Sequence, residues 1–95
     1  MTTCHLIVQQ THPRREDEAR RMLGEMIVPR AKAQDGFVAG YWLRAVQGDL
    51  LRAVQLFESE HIANARADQI RSEGAPPGAP VRLESVQTYE VVAQA

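Results

Sequence analysis

Apolar and polar positions alternate from Thr3 to Gln10, with Cys4, Leu6 and Val8 on one side and His5, Ile7 and Gln9 on the other. That period of two, with β-branched residues at its centre, predicts a first strand. Thr11-His12-Pro13 interrupts it, and the spacing then lengthens. Ala19, Met22, Leu23, Met26, Ile27 and Ala31 recur at steps of three and four, which predicts an amphipathic helix. Pro13 suits its first turn, where a missing N–H leaves no partner unsatisfied. Glu16, Asp17 and Glu18 place negative charge at the positive end of the helix dipole. Pro29 cannot donate to the Glu25 carbonyl, so a kink or a tightened last turn running to about Ala33 is expected.

Asp35-Gly36 stops the helix, and Phe37 to Arg44 is rich in aromatic and β-branched residues, as a second strand would be. Gly48-Asp49 marks a turn, and Leu50 to Phe57 resumes strand composition, so residues 37–57 read as an antiparallel hairpin. Ser59 is an N-cap candidate for a second helix, with Glu60 at the dipole's positive end and Ile62, Ala65, Arg66, Gln69 and Ile70 as its stripe. The glycines and prolines of residues 74–80 end that helix, and Val81 to Val92 is a long last strand. The order βαββαβ is the split βαβ, ferredoxin-like arrangement, an α+β fold with two helices on one face of a four-stranded antiparallel sheet. Leu51, Ala53 and Phe57 alternate with Leu50, Val54 and Leu56, so both faces of the third strand are mostly apolar while the helices can cover only one. A homodimer, in which a second copy supplies the missing layer, is predicted from that excess.

Length makes one domain of residues 1–95, since a second core needs a longer chain. Eleven Lys and Arg against twelve Asp and Glu give a net charge of -1 with the signs interspersed, which argues against a nucleic-acid partner. No apolar run approaches the roughly 20 residues of a spanning helix, so no membrane partner is expected. The single cysteine, Cys4, excludes an internal disulfide and fits a cytoplasmic location. It reads as a small buried hydrophobe rather than a nucleophile. His5, His12 and His61 have no metal-ligand spacing, so no metal site is predicted.

The stretch Asp35-Gly-Phe-Val-Ala-Gly-Tyr-Trp-Leu-Arg44, the segment Phe57-Glu-Ser-Glu-His-Ile-Ala-Asn-Ala65 and the closing Val86-Gln-Thr-Tyr-Glu-Val-Val92 together resemble the dimeric α/β-barrel superfamily. Within it they are most similar to the antibiotic-biosynthesis-monooxygenase family. The resemblance implies two sheets paired face to face and a small-molecule pocket in each protomer. It also implies activities that range from cofactor-free oxygenation of aromatic or quinol substrates to haem degradation. The haem-degrading branch carries an Asn on the first strand, a Trp before the Glu-Ser segment and a His on or after the second helix. Here the first strand has no Asn, Phe57 takes the Trp position, and the nearest histidine, His61, begins the helix.

If Leu43 faces Leu51, then Phe37, Ala39, Tyr41, Ala53, Gln55 and Phe57 share one sheet face. Gln55, a polar amide among apolar neighbours, either orients a ligand or bonds to the opposing subunit. Tyr41 offers an apolar body with a hydroxyl tip. His5 is the candidate base for an acidic phenol, set against the competing expectation that it lies exposed at the sheet end. The predicted site is therefore His5 and Tyr41 as catalytic groups, with Phe37, Gln55, Phe57 and His61 binding substrate. Trp42 is assigned to packing on the helix side. The function expected is a cofactor-independent monooxygenase of a small aromatic or quinol substrate. Its rival is a non-catalytic dimeric binding or stress-response module of the same fold.

Overall fold

The structure is a computed structural model, and it describes residues 2–48, 50–75 and 77–95. Its sheet has the order β2-β3-β1-β4, formed by β1 (Thr3–Thr11), β2 (Phe37–Arg44), β3 (Leu50–Phe57) and β4 (Val81–Glu90), all antiparallel. The first helix runs between β1 and β2 and the second, Glu60–Glu73, between β3 and β4. This is the predicted ferredoxin-like βαββαβ arrangement. Of the two predicted breaks at residues 48–49 and 74–80, Asp49 and Pro76 lie outside the described residues. Among the described residues no helix is long and apolar enough to cross a membrane.

The second helix begins as its sequence requires: Ser59 is extended, and its hydroxyl accepts the Ile62 N–H at 3.2 Å. Its buried face is Ala63 and Ala67, both fully enclosed, flanked by half-buried Ile62, Arg66 and Ile70. Ala65 and Gln69, which the periodicity had placed on the stripe, are exposed. The sequence stripe was rotated because alanine carries too little hydropathy to mark a face, although its small volume is what lets the helix settle onto the sheet. Ala67 joins Ile7, Ala53 and Val86 in the core, with Trp42, Ile70 and Leu83 packed around them. Arg71 ties the helix to β4 through the Val86 carbonyl at 2.8 Å.

The first helix differs from its prediction at two points. It starts at Glu16, after a turn in which Arg14 takes a φ of 69°, so Pro13 precedes the helix instead of opening it. Beyond the α-helical Glu16–Met22 comes a π-helical turn, Leu23–Ile27, and then α-helical Val28–Lys32. Pro29 therefore widens the helix ahead of it rather than tightening the end. With no N–H to offer the Glu25 carbonyl, it leaves the preceding turn free to adopt the longer i→i+5 pairing.

The hairpin register holds a second correction. Phe37 faces Phe57 as predicted, but β2 then spends two residues against one of β3, so Ala39 faces Leu56 and Tyr41 faces Val54. Val38 is the bulged residue. Beyond it the strand is shifted by one, which turns Gly40 and Trp42 to the helix side and Ala39, Tyr41 and Leu43 to the opposite face. Gly40 fits there because a Cβ would stand 2.7 Å from the Trp42 ring and 3.2 Å from that of Phe37. On the face away from the helices, Leu6, Val8, Val54 and Leu56 are half-buried, and Tyr41, Leu43 and Tyr89 are 60%, 49% and 44% exposed.

Candidate functional site

The first helix lies over the sheet without closing on it, and the gap is a cavity of about 410 Å³. All six residues of the apolar stripe read from the sequence, Ala19, Met22, Leu23, Met26, Ile27 and Ala31, line it. Three of them, Leu23, Met26 and Ile27, sit on the π-helical turn. Its floor is the helix face of the sheet, where Ile7, Trp42, Leu51 and Ala53 surround the amide of Gln55, and Ile70 and Arg66 of the second helix form the far side. Arg20, Arg30, Arg44 and Arg52 also line it, against the carboxylates of Glu16 and Glu73. Five guanidiniums facing two carboxylates make the cavity electropositive. Arg66 donates to Gln69 at 2.8 Å, and its own burial lowers its pKa.

Gln55 is 4% exposed, and its partner is His5, which is fully buried directly opposite it on β1. His5 Nε2 stands 3.0 Å from Gln55 Oε1. A carboxamide oxygen only accepts, so Nε2 carries the proton and donates. The Gln55 amino group then has no protein partner among the described residues. Phe57 packs edge-on against the imidazole at a centroid distance of 5.0 Å, and Phe37 against Phe57 at 6.1 Å. Burial holds the His5 pKa below its ordinary value. Contacts with Gln55 and the Ala63 backbone act the other way, and the positive charges of Arg66 and Arg71 push it further down. The ring is therefore neutral at physiological pH.

A second, smaller pocket of about 200 Å³ is lined by Thr3, Glu60, Asn64, Thr88, Tyr89 and Glu90; His5 does not line it, but its cross-strand partner Thr88 does. Thr3 Oγ1, Thr88 Oγ1 and His5 Nδ1 are buried with no hydrogen-bond partner among the described residues. Each such atom costs about 1–3 kcal/mol relative to a satisfied one.

No family model and no curated protein matches the sequence. Solved structures do match the fold along nearly the whole chain. The heme-degrader MhuD from Mycobacterium tuberculosis, solved with two hemes bound in its active site, superimposes with a TM-score of 0.76 at 18% identity, covering 98% of each chain. A putative antibiotic biosynthesis monooxygenase from Chloroflexus aurantiacus gives 0.65 at 12% identity, covering 100% of this chain and 98% of that one. A putative monooxygenase from Shewanella loihica gives 0.61 at 16% identity, covering 99% of both. The chain shares the ferredoxin-like fold of these proteins.

On that fold the predicted site residues divide. His5, Gln55, Phe57 and Phe37 come together on the helix side of the sheet, in contact along one line from β2 through β3 to β1. His5 is buried, not exposed at the sheet end, because its position pairs it with two strands at once. It does not itself line the large cavity; Gln55 stands in front of it. Tyr41 is separated from them by the Val38 bulge and faces away from the cavity. His61 is exposed in the first turn of the second helix and lines neither pocket. Trp42 and the arginines were missed as cavity residues. The glycine two residues before Trp42 was the available signal, because a strand interior without a side chain marks close approach by a neighbour. The described residues hold no group of three or more metal-ligating side chains. Cys4 lies half-buried on the sheet face away from the helices, where burial raises its thiol pKa.

Proposed function

We propose that this chain is an oxygenase-type small-molecule protein, which oxidises an aromatic or quinol substrate in the large cavity without a bound cofactor. The observation behind this reading is the Gln55 carboxamide set among Ile7, Trp42, Leu51 and Ala53 on the cavity floor and held in a fixed orientation by a buried histidine. A planar ring fits against Trp42, Leu51 and Ala53, and its oxygen meets the Gln55 amino group. As that oxygen loses its proton, the amide dipole and the surrounding guanidiniums stabilise the anion. The electron-rich anion then reduces O2 itself. When an anthrone CH2 becomes a carbonyl, one oxygen atom goes to carbon and the other leaves as water, the substrate furnishing all the electrons. His5 works through Gln55: its Nε2–H occupies the carbonyl half of the amide, so the donor half is the one presented to substrate.

The resemblance to a heme-degrading protein raises an iron porphyrin as an alternative guest. The arginines suit its carboxylates, but the lining residues include no His, Cys or Tyr to ligate the iron, and the Met22 and Met26 thioethers are weak ligands without a histidine opposite. The cavity does not fit that group, and a hemin titration is expected to leave the Soret band at its free position.

Oxygen uptake with hydroxylated naphthalenes and anthrones tests the proposal. Uptake is expected in the wild type and in Tyr41→Phe, and it falls about a hundredfold or more in Gln55→Leu, the loss typical of a removed anion-stabilising donor. No uptake across the panel overturns it. The second reading, a binding module without turnover, is favoured by the lack of His, Cys, Tyr or Lys on the cavity wall. It predicts that ligands quench the fluorescence of Trp42, the single tryptophan, while oxygen is not consumed. Under either reading a second copy covers the apolar sheet face, and light scattering is expected to return twice the 10.6 kDa chain mass.

A further inference from the structure

We propose that the smaller pocket is a hydrated site through which His5 exchanges its proton with solvent by way of Thr3 and Thr88. Among the described residues the side-chain polar atoms buried without a partner are His5 Nδ1, Thr3 Oγ1 and Thr88 Oγ1, and they fall at one place. Thr88 is the cross-strand partner of His5, and Thr3 precedes His5 by two residues on the same sheet face. Both threonines line the pocket, although Thr3 is only 2% exposed. Glu60, Asn64 and Glu90 complete its wall, and all three are exposed. The pocket thus joins a buried row of unsatisfied polar atoms to two surface carboxylates.

Chemistry gives that row a direction. Nε2 is committed to Gln55, so the lone pair on Nδ1 is the ring's one remaining proton acceptor. A volume of about 200 Å³ admits water, and each water there finds the several polar partners that internal waters need. No hydrogen bond joins the three atoms directly, so water bridges them, and the threonine hydroxyls, rotors that accept from one neighbour while donating to the next, pass a proton along that bridge to Nδ1. A proton added at Nδ1 makes the imidazolium. Its loss by the same route restores the neutral Nε2–H form, with no bond made or broken on Gln55, whose amide cannot hold the proton. Of the charged groups around the ring, Arg66 and Arg71 on the second helix oppose charging, while Glu60 and Glu90 stand at the outer end of the route.

This proposal does not depend on the oxygenase reading, because it is read on the imidazole of the ligand-free protein. Nitrogen-15 NMR of the full chain is expected to show His5 as the Nε2–H tautomer. Replacing both hydroxyls, Thr3→Val with Thr88→Val, is expected to slow interconversion of the neutral ring and its imidazolium, read by nitrogen-15 relaxation dispersion through the ring's titration, by about tenfold or more, since the Nδ1 proton must then await local opening of the fold. Thr88→Ser keeps a hydroxyl and keeps the wild-type rate. Asn64→Leu obstructs the pocket from the exposed helix surface, slows interconversion in the same sense, and decides the matter if the double valine variant does not fold. An Nδ1–H tautomer, or an unchanged interconversion rate in a folded blocking variant, overturns the proposal.

Discussion

The two helices lie on the same face of the same sheet and do opposite things. The second presents alanines, Ala63 and Ala67, and closes until neither retains any accessible surface. The first presents Met22, Leu23, Met26 and Ile27 and stands away, leaving these side chains half-buried or, for Met26, 40% exposed around a cavity. Small side chains at the contact permit close approach, and long ones on a helix that does not dock become the wall of a container. Hydropathy alone ranks the two the wrong way round, since the more apolar stripe belongs to the less buried helix.

Overfilling the docked helix gives the largest expected effect. Ala67→Leu forces added methyl groups into a site with no spare volume and is expected to cost about 3 kcal/mol, seen as a lower urea midpoint. A loss under about 1 kcal/mol would mean that the second helix is as loosely held as the first. Acid comes next, through His5 beneath the same helix. Its folded pKa lies below the unfolded value near 6.5, so the unfolded chain takes up the proton first. Stability is full above that value and falls as pH drops through it, by up to about 1.4 kcal/mol per pH unit until the folded ring also titrates. Urea unfolding from pH 8 to 5 measures this, and His5→Gln is expected to flatten the dependence. Ser59→Ala removes the second helix's cap and is expected to cost about 1 kcal/mol by chemical denaturation. The smallest effect belongs to the standing helix: Met26→Ala should change stability by less than about 1 kcal/mol while enlarging the cavity, so that ligand quenching of Trp42 changes more than the melting temperature does.

Strand composition, the helix stripe and the Ser59 cap are local properties, and each was legible in the chain before its partners were known. The bulge at Val38 was not, because nothing in Phe37-Val38-Ala39 distinguishes a continuous strand from one that gains a residue. That one residue decided whether Tyr41 or Trp42 shared a face with Gln55. The His5–Gln55 pair was half legible. Gln55 stood out as an amide that needed a partner, but the partner is supplied by pairing between residues fifty positions apart. The π-helical turn followed from the proline in kind but not in direction, since losing one donor permits either a tighter or a wider turn.

A strand that carries one extra residue can also lose it. Deleting Val38 would leave Phe37 and Ala39 consecutive against Phe57 and Leu56, so the bulge would vanish while Gly40, Tyr41 and Trp42 kept their present partners and faces. The indole would stay on the container wall and the phenol outside it. The loss of one codon would thus straighten the strand and leave the lining as it is.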